Sequence, residues 1–252
     1  MKNLRLTDIY MRASWSSGAI CSSVASGGIV TNCSVEGGTM LDSSNGAIYG
    51  GIASSCGEGG ISYCYTDLDI DVRQFAGGIV GQGYAEYCLS NATITRAGAA
   101  GGICGRGGYV TNSAFSGRIV SDYASIGGII GEWGSATDCY FSGTISGTYN
   151  VGGIIGTERW GHNMSNNYVA GSVQGTNNTG IFVGSLSSNI SLTNSYYDSS
   201  KIAGLPVCGL GNFKECDVVD TFAFANWDFQ VGINSTAVSY THLRAHETLR
   251  HL

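Results

Sequence analysis

The chain has 252 residues, of which 43% are hydrophobic and only 12% are charged, and its formal net charge at pH 7 is −6. This composition can supply a sizeable core, but it offers no basic surface that would neutralise phosphates, which argues against nucleic acid as a partner. No run approaches the roughly 18 to 20 apolar residues that a membrane-spanning helix needs, so we expect no membrane span.

The opening segment already belongs to a repeat. Lys2-Asn3-Leu4-Arg5-Leu6 matches Thr31-Asn32-Cys33-Ser34-Val35 further along the chain. It lacks the apolar region and the small-residue cleavage site of a signal peptide. Solenoids need a cap over their terminal apolar face, and none is recognisable here, so we expect a fragment of a longer protein, truncated at its N-terminus.

A glycine phrase then recurs, with Gly127-Gly128-Ile129-Ile130-Gly131 as a complete copy. The first glycines of seven copies stand at positions 18, 50, 77, 101, 127, 152 and 180, which gives spacings of 32, 27, 24, 26, 25 and 28 residues. Such spacings fall within the range of about 20 to 50 residues that is typical of stacked repeats.

Each glycine phrase is followed by a second element, in which a polar and a small residue precede apolar or aromatic residues. The copies are Asn32-Cys33-Ser34-Val35, Tyr63-Cys64-Tyr65, Tyr87-Cys88-Leu89, Asn112-Ser113-Ala114-Phe115, Asp138-Cys139-Tyr140-Phe141, Asn167-Tyr168-Val169 and Asn194-Ser195-Tyr196-Tyr197. Short apolar runs broken by Gly, Ser, Asn and Thr indicate strands and turns. Units this small must continue their neighbours' strands, so we predict an all-β fold, a parallel β-helix (β-solenoid) of about seven coils of 24 to 32 residues, over residues 1–200.

These motifs resemble the GLUG-motif family, whose core is Gly-Leu-hydrophobic-Gly, here with Ile in the Leu position. The matching copies are Gly78-Ile79-Val80-Gly81, Gly102-Ile103-Cys104-Gly105, Gly128-Ile129-Ile130-Gly131 and Gly153-Ile154-Ile155-Gly156. The resemblance implies a large bacterial protein, secreted or attached to the cell surface. Some members are adhesin-like, and some carry a peptidase elsewhere in the chain.

The C-terminal part departs from the repeat in two steps. Residues 201–237 are predicted to be an aromatic capping segment, because Phe222-Ala223-Phe224-Ala225-Asn226-Trp227-Asp228-Phe229 resembles the ending that follows such arrays and can cover an open apolar face. A ligand-stacking role for Trp227 is the alternative. Residues 238–252 contain no glycine and three of the four histidines, and they resemble a translated sequencing adaptor, so we predict a non-native tail without function.

Most of the nine cysteines fall at repeat positions. One position holds Cys33, Cys64, Cys88, Ser113, Cys139, Asn167 and Ser195, and another holds Cys21, Ala53, Val80, Cys104, Ile130, Ile155 and Val183. Exchange with small or apolar residues predicts buried free thiols, although Cys33/Cys64 or Cys64/Cys88 could form a disulfide between adjacent coils. Cys208 and Cys216 lie outside the predicted repeat and are the best isolated disulfide candidate. Without a C-x₂-C pair or paired histidines, we predict no metal site and no cofactor.

Three other groups have polar or aromatic side chains that could bind ligands. Asp67, Asp69 and Asp71 alternate with apolar residues and could hold calcium, but a solvated face is the preferred interpretation because neighbouring coils offer no acidic ladder. A stripe of outward tyrosines could contact sugars, although structural stacking is preferred; it comprises Tyr65, Tyr140, Tyr168 and Tyr196. His162 has no evident nucleophile or carboxylate partner in its motif and is interpreted as a loop residue.

Two classes of function remain. The first is a noncatalytic structural or adhesive module of a larger secreted or cell-surface protein, with glycans or host-surface molecules as partners and no catalytic residues. The alternative is a β-helical polysaccharide-active enzyme or glycan-binding domain. An enzyme would need charged side chains from about three adjacent coils to converge in one groove.

Overall fold

The computed structural model describes residues 1–42, 47–202, 204–220, 233–234 and 237–238. These residues form a parallel β-solenoid of about eight turns without helices, which confirms the predicted fold class. Consequently, no helix in the described ranges is long and apolar enough to cross a membrane.

The strands of successive coils stack in three columns. The first column contains Ser17–Gly18, Ile48–Gly50, Phe75–Gly77, Ala99–Gly101 and the ends of Arg118–Gly127, Thr144–Gly152 and Ser172–Gly180. The second contains Cys21–Val24, Ala53–Cys56, Val80–Glu86, Cys104–Thr111, Ile130–Thr137, Ile155–Glu158, Val183–Leu186 and Cys208–Leu210, with Val30–Thr31, Ile61–Ser62 and Met164–Ser165 continuing it. The third contains Arg5–Ala13, Ser34–Asp42, Tyr65–Asp71, Leu89–Ser90, Thr93–Thr95, Ala114–Phe115, Tyr140–Phe141, Tyr168–Val169, Ser191–Tyr197, Glu215–Asp220 and the beginnings of the three long strands. Ile233–Asn234 and Ala237–Val238 pair separately as an antiparallel ribbon.

The glycine phrases are in register, as predicted. Gly18 pairs with Gly50, and the pairing continues coil by coil to Gly180. These positions need glycine because the chain folds back on itself: a Cβ on Gly127 would lie 1.8 Å from the carbonyl oxygen of Ile130. The requirement is close backbone approach and not a left-handed turn.

The left-handed corners are made by other residues. Eight positions, one per coil, have φ between 47° and 57°: Asn3, Asn32, Tyr63, Tyr87, Asn112, Asp138, Asn166 and Asn194. Asn tolerates this conformation best, and its amides also bond along the column, for example from Asn32 Nδ2 to Asn3 Oδ1 at 2.7 Å. The recurring polar residue of the second repeat element is therefore a corner residue.

The cysteine position next to this corner is stacked as predicted. Tyr65 N donates to Cys33 O and Leu89 N to Cys64 O, and the same bonds recur in the later coils. Along the described chain all nine thiols are free, and eight of them, all but the exposed Cys216, are buried or half-buried against the core.

The prediction for Cys208 and Cys216 was wrong. Cys208 pairs with Val183 and therefore occupies the repeat position of Cys21 and Cys104. Cys216 pairs with Leu192 on a different column, and no bond joins the two thiols. The ladders thus continue to Asp220, into the segment assigned to the cap. The aromatic run at 222–229, with Trp227, lies outside the described residues, as does the tail from residue 239.

Candidate ligand-binding surface

A row of polar side chains faces outward from the second column. Gln82, Arg106 and Glu132 are in register on three adjacent coils, because alternate residues of these strands point away from the core. All three are partly exposed. Within the described chain, none of these side chains forms a hydrogen bond or an ion pair, so their polar atoms other than the shielded Nε of Arg106 are available to a ligand.

Aromatic rings lie beside this row. The guanidinium of Arg106 lies over the Phe75 ring at 4.2 Å and over the Trp133 ring at 4.4 Å, measured to the ring centroids. Trp133 in turn meets Trp160 edge to face, with centroids 6.2 Å apart. The Trp160 side chain projects into solvent and is 69% exposed. We call Phe75, Arg106, Trp133 and Trp160 the aromatic cluster.

Trp133 has an unusual backbone. Its φ is 49°, and the residue at the same register one coil earlier is Gly107, with φ 58°. A bulky residue in this region costs about 1 to 2 kcal/mol. Nε1 of Trp133 and Nε of Arg106 are also shielded from solvent and have no hydrogen-bond partner among the described residues.

A buried carboxylate fixes the loop that carries Trp160. Glu158 is 0% exposed, and its Oε2 accepts a hydrogen bond from Gly134 N at 2.7 Å. Its Oε1 accepts hydrogen bonds from Trp160 N at 2.6 Å and Gly161 N at 3.0 Å. Buried carboxylates are tolerated only when hydrogen-bonded in this way, so the loop is held by charge-assisted bonds.

His162 lies in this loop, as expected, but it does have a carboxylate partner. Its Nδ1 is 3.1 Å from Glu158 Oε1, which corrects the sequence-based interpretation. The ring packs edge-on against Tyr109, which stacks on Tyr84 at 4.9 Å. The i, i+4 spacing of Glu and His in Glu-Arg-Trp-Gly-His was the available signal, but it indicates a pair only once the loop's path is known.

Charged side chains from three adjacent coils do meet elsewhere. Arg96 contacts the carboxylate of Asp71 and lies 3.8 Å from that of Asp42. Burial opposes ionisation of Asp71, but the bonds from Arg96 and Thr95 outweigh it and lower the pKa of this carboxyl. Arg96 is shared by both carboxylates, and Asp42 also accepts a hydrogen bond from Arg73 N, so each carboxylate of this cluster is already paired.

The acidic row at Asp67, Asp69 and Asp71 alternates with buried Leu68, Ile70 and Val72, as predicted. Asp71 is paired with Arg96, which leaves two exposed carboxylates on this strand. Across the described ranges, no group of three or more His, Cys, Asp or Glu side chains is arranged to hold a metal ion.

The tyrosine stripe faces outward, because Phe141 and Val169, next to Tyr140 and Tyr168, are buried. The rings of Tyr140 and Tyr168 stack with centroids 5.4 Å apart. Stacking along the solenoid covers the ring faces that a sugar would need. Leu89 and Ala114 occupy the same register and separate Tyr65 from the later tyrosines.

The buried thiols of Cys104 and Cys139 stay protonated at neutral pH. Burial raises the pKa of Cys104 and of Cys139 to about 12. The pKa of Cys64 is lowered by a hydrogen bond with the Cys88 thiol, whose own pKa is raised by burial. Because the thiolate is the reactive form, Cys104 and Cys139 are unreactive at neutral pH and serve packing.

No known family model, curated protein or solved structure matches this chain. The resemblance to the GLUG-motif family therefore stays a prediction that rests on the repeat motifs.

Proposed function

We propose that the chain is a noncatalytic structural and adhesive module of a larger bacterial protein, secreted or held at the cell surface. The observation that carries the proposal is the position of the aromatic cluster and its polar row on an open outer face, spread over adjacent coils. A surface of this kind suits weak contacts that repetition multiplies. The bacterial and surface location rests on the motif resemblance.

The charged groups support the noncatalytic part of the proposal. Arg96 forms ion pairs with both Asp42 and Asp71. Glu158 is buried, and both of its oxygens accept hydrogen bonds. Along the described chain, no Ser, Thr or Cys side chain is hydrogen-bonded to His162, so a nucleophile and base pair is missing from this loop.

One observation favours the alternative, a polysaccharide-active enzyme. Glu158 orients His162 through Nδ1, which leaves Nε2 as a possible general base beside the aromatic cluster. We rank this second, because among the described residues His162 has no acid or base within hydrogen-bond reach other than the buried Glu158.

The two functions separate in one experiment. The full chain is incubated with a glycan array and a panel of soluble polysaccharides, and both retention and release of new reducing ends are measured, with heat-unfolded chain as the control. We expect retention without release. Release that disappears in His162→Ala would establish the enzyme, and failure to bind any glycan or host-cell surface would refute the adhesive function.

A further inference from the structure

We propose that the aromatic cluster, with Gln82 and Glu132 beside it, is a binding site for a neutral saccharide chain. This inference rests on the proposed adhesive function and names the chemical class of its partner. Four observations carry it: the strained Trp133, the exposed Trp160, the anchored loop and the unpaired polar row.

The repeat does not require a bulky side chain at Trp133. Gly107 fills the same register without a side chain. Gly107 adopts the same left-handed conformation without strain, whereas Trp133 places a bulky side chain there, and its Nε1 has no hydrogen-bond acceptor among the described residues. A strained residue with an unsatisfied buried donor, next to the exposed indole of Trp160, is typical of a site that serves binding more than stability.

Trp160 supplies the accessible aromatic face. Its indole is 69% exposed, and its edge-to-face contact with Trp133 holds it among the rings of the cluster. The carbon-hydrogen faces of pyranose rings stack on such indoles, since the aromatic face is apolar and electron-rich. The loop is already fixed by Glu158, so binding need not order it, which removes a cost that flexible sites carry.

The polar row determines the class of saccharide. Arg106 offers only donors and Glu132 only acceptors, and the two are in register on adjacent coils. Sugar hydroxyls both donate and accept, so neighbouring hydroxyls can satisfy both side chains. A polyanionic sugar would be repelled by Glu132 and by the protein's net charge of −6. A cationic ligand would be repelled by the Arg106 guanidinium, which already covers one face of the Trp133 ring.

The test uses the full 252-residue chain and three variants. Trp160→Ala removes the exposed platform. Trp133→Gly installs the residue found at the same register in the preceding coil, so the fold should be retained. Trp15→Ala is the matched control, because this indole is 81% exposed but lies outside the cluster. Dissociation constants are measured by calorimetry or affinity electrophoresis for soluble neutral glucans, mannans and xylans, and for polygalacturonate.

We expect the wild type and Trp15→Ala to bind at least one neutral polysaccharide equally well. Trp160→Ala and Trp133→Gly should weaken that binding about tenfold or more, while the thermal midpoint of Trp133→Gly stays unchanged or rises. Equal affinity of all four proteins would place saccharide binding elsewhere and overturn this site, while leaving the adhesive function standing. Binding to polygalacturonate alone, or to no tested polysaccharide, would overturn the neutral-saccharide assignment. Retention on a protein or host-cell surface would then still support adhesion.

Discussion

Substitution of Gly127 by alanine tests why the glycine phrase exists. The added Cβ would lie 1.8 Å from Ile130 O, 2.7 Å from Ile130 C and 2.8 Å from Gly156 N. All three are backbone atoms, so no side chain can rotate away. To reach the 3.4 Å of ordinary contact, the two chain segments must separate by about 1.6 Å.

That separation disrupts the hydrogen bonds between coils at this turn. Gly102 N donates to Gly127 O at 3.3 Å, and Gly128 N donates to Gly152 O at 3.0 Å. Each buried group left unpaired costs about 1 to 3 kcal/mol. Loss of both predicts a decrease of about 4 kcal/mol in the free energy of unfolding, among the largest effects of single substitutions.

Gly59→Ala is the matched control. Nothing lies within 4 Å of a Cβ at this position, so only its φ of +70° opposes alanine, at a cost of about 1 kcal/mol. Urea unfolding followed by far-ultraviolet circular dichroism measures both variants. Because stacked coils are coupled to their neighbours, Gly127→Ala should also lower the cooperativity of the transition. If Gly127→Ala lost no more stability than Gly59→Ala, the close-approach explanation would be wrong.

Three further predictions concern buried groups. In the folded protein a maleimide should label exposed Cys216, whereas Cys104 and Cys139 should react only after unfolding, as mass spectrometry of digests can establish. The contribution of Cys104 and Cys139 to the free energy of unfolding should be constant below pH 9 and should fall between pH 9 and about 12. In that window the unfolded chain releases protons that the folded chain retains, which lowers the free energy of unfolding by about 1.4 kcal/mol per thiol and pH unit. Cys139→Ser should make this pH dependence less steep. The variant should be tolerated, since Ser113 makes the same bond to the carbonyl two residues earlier. Glu158→Ala should destabilise the protein by about 3 kcal/mol and expose Trp160 further to fluorescence quenchers. Glu158→Gln should have a smaller effect because it keeps one acceptor oxygen. Identical effects of the two variants would contradict the role of the carboxylate oxygens.

The stacking order could be predicted because the same local constraint recurs in every coil. A glycine is needed wherever the chain folds back, as at Gly127, and a small or apolar residue wherever the interior is narrow, as at Cys139. These requirements are visible in the sequence as a period. The corner residues were visible too, but their left-handed conformation was not, because Asn32 and Tyr63 share that backbone without sharing chemistry.

The candidate site could not be predicted, since its contacts cross coils through a loop that breaks the period. His162 reaches back over Ser135, a small residue, to contact Tyr109 two coils earlier. The sequence aligns Ser135 with Tyr109, but it does not give the path of the segment between Glu158 and Met164. That path depends on the hydrogen bonds that Glu158 accepts.

Departures from the repeat are therefore the informative positions in a solenoid of this kind. The left-handed corner column is a demand of the fold, because eight coils repeat it whatever the side chain is. The left-handed turn at Trp133 also occurs at Gly107 one coil earlier, where glycine adopts it at little cost, but not at Glu158, which follows the partner of Glu132 in the next coil. The fold therefore does not demand a bulky side chain at this turn. A strained residue that stacking does not require, joined to an unpaired polar row and an anchored exposed indole, is better explained by a ligand than by the fold.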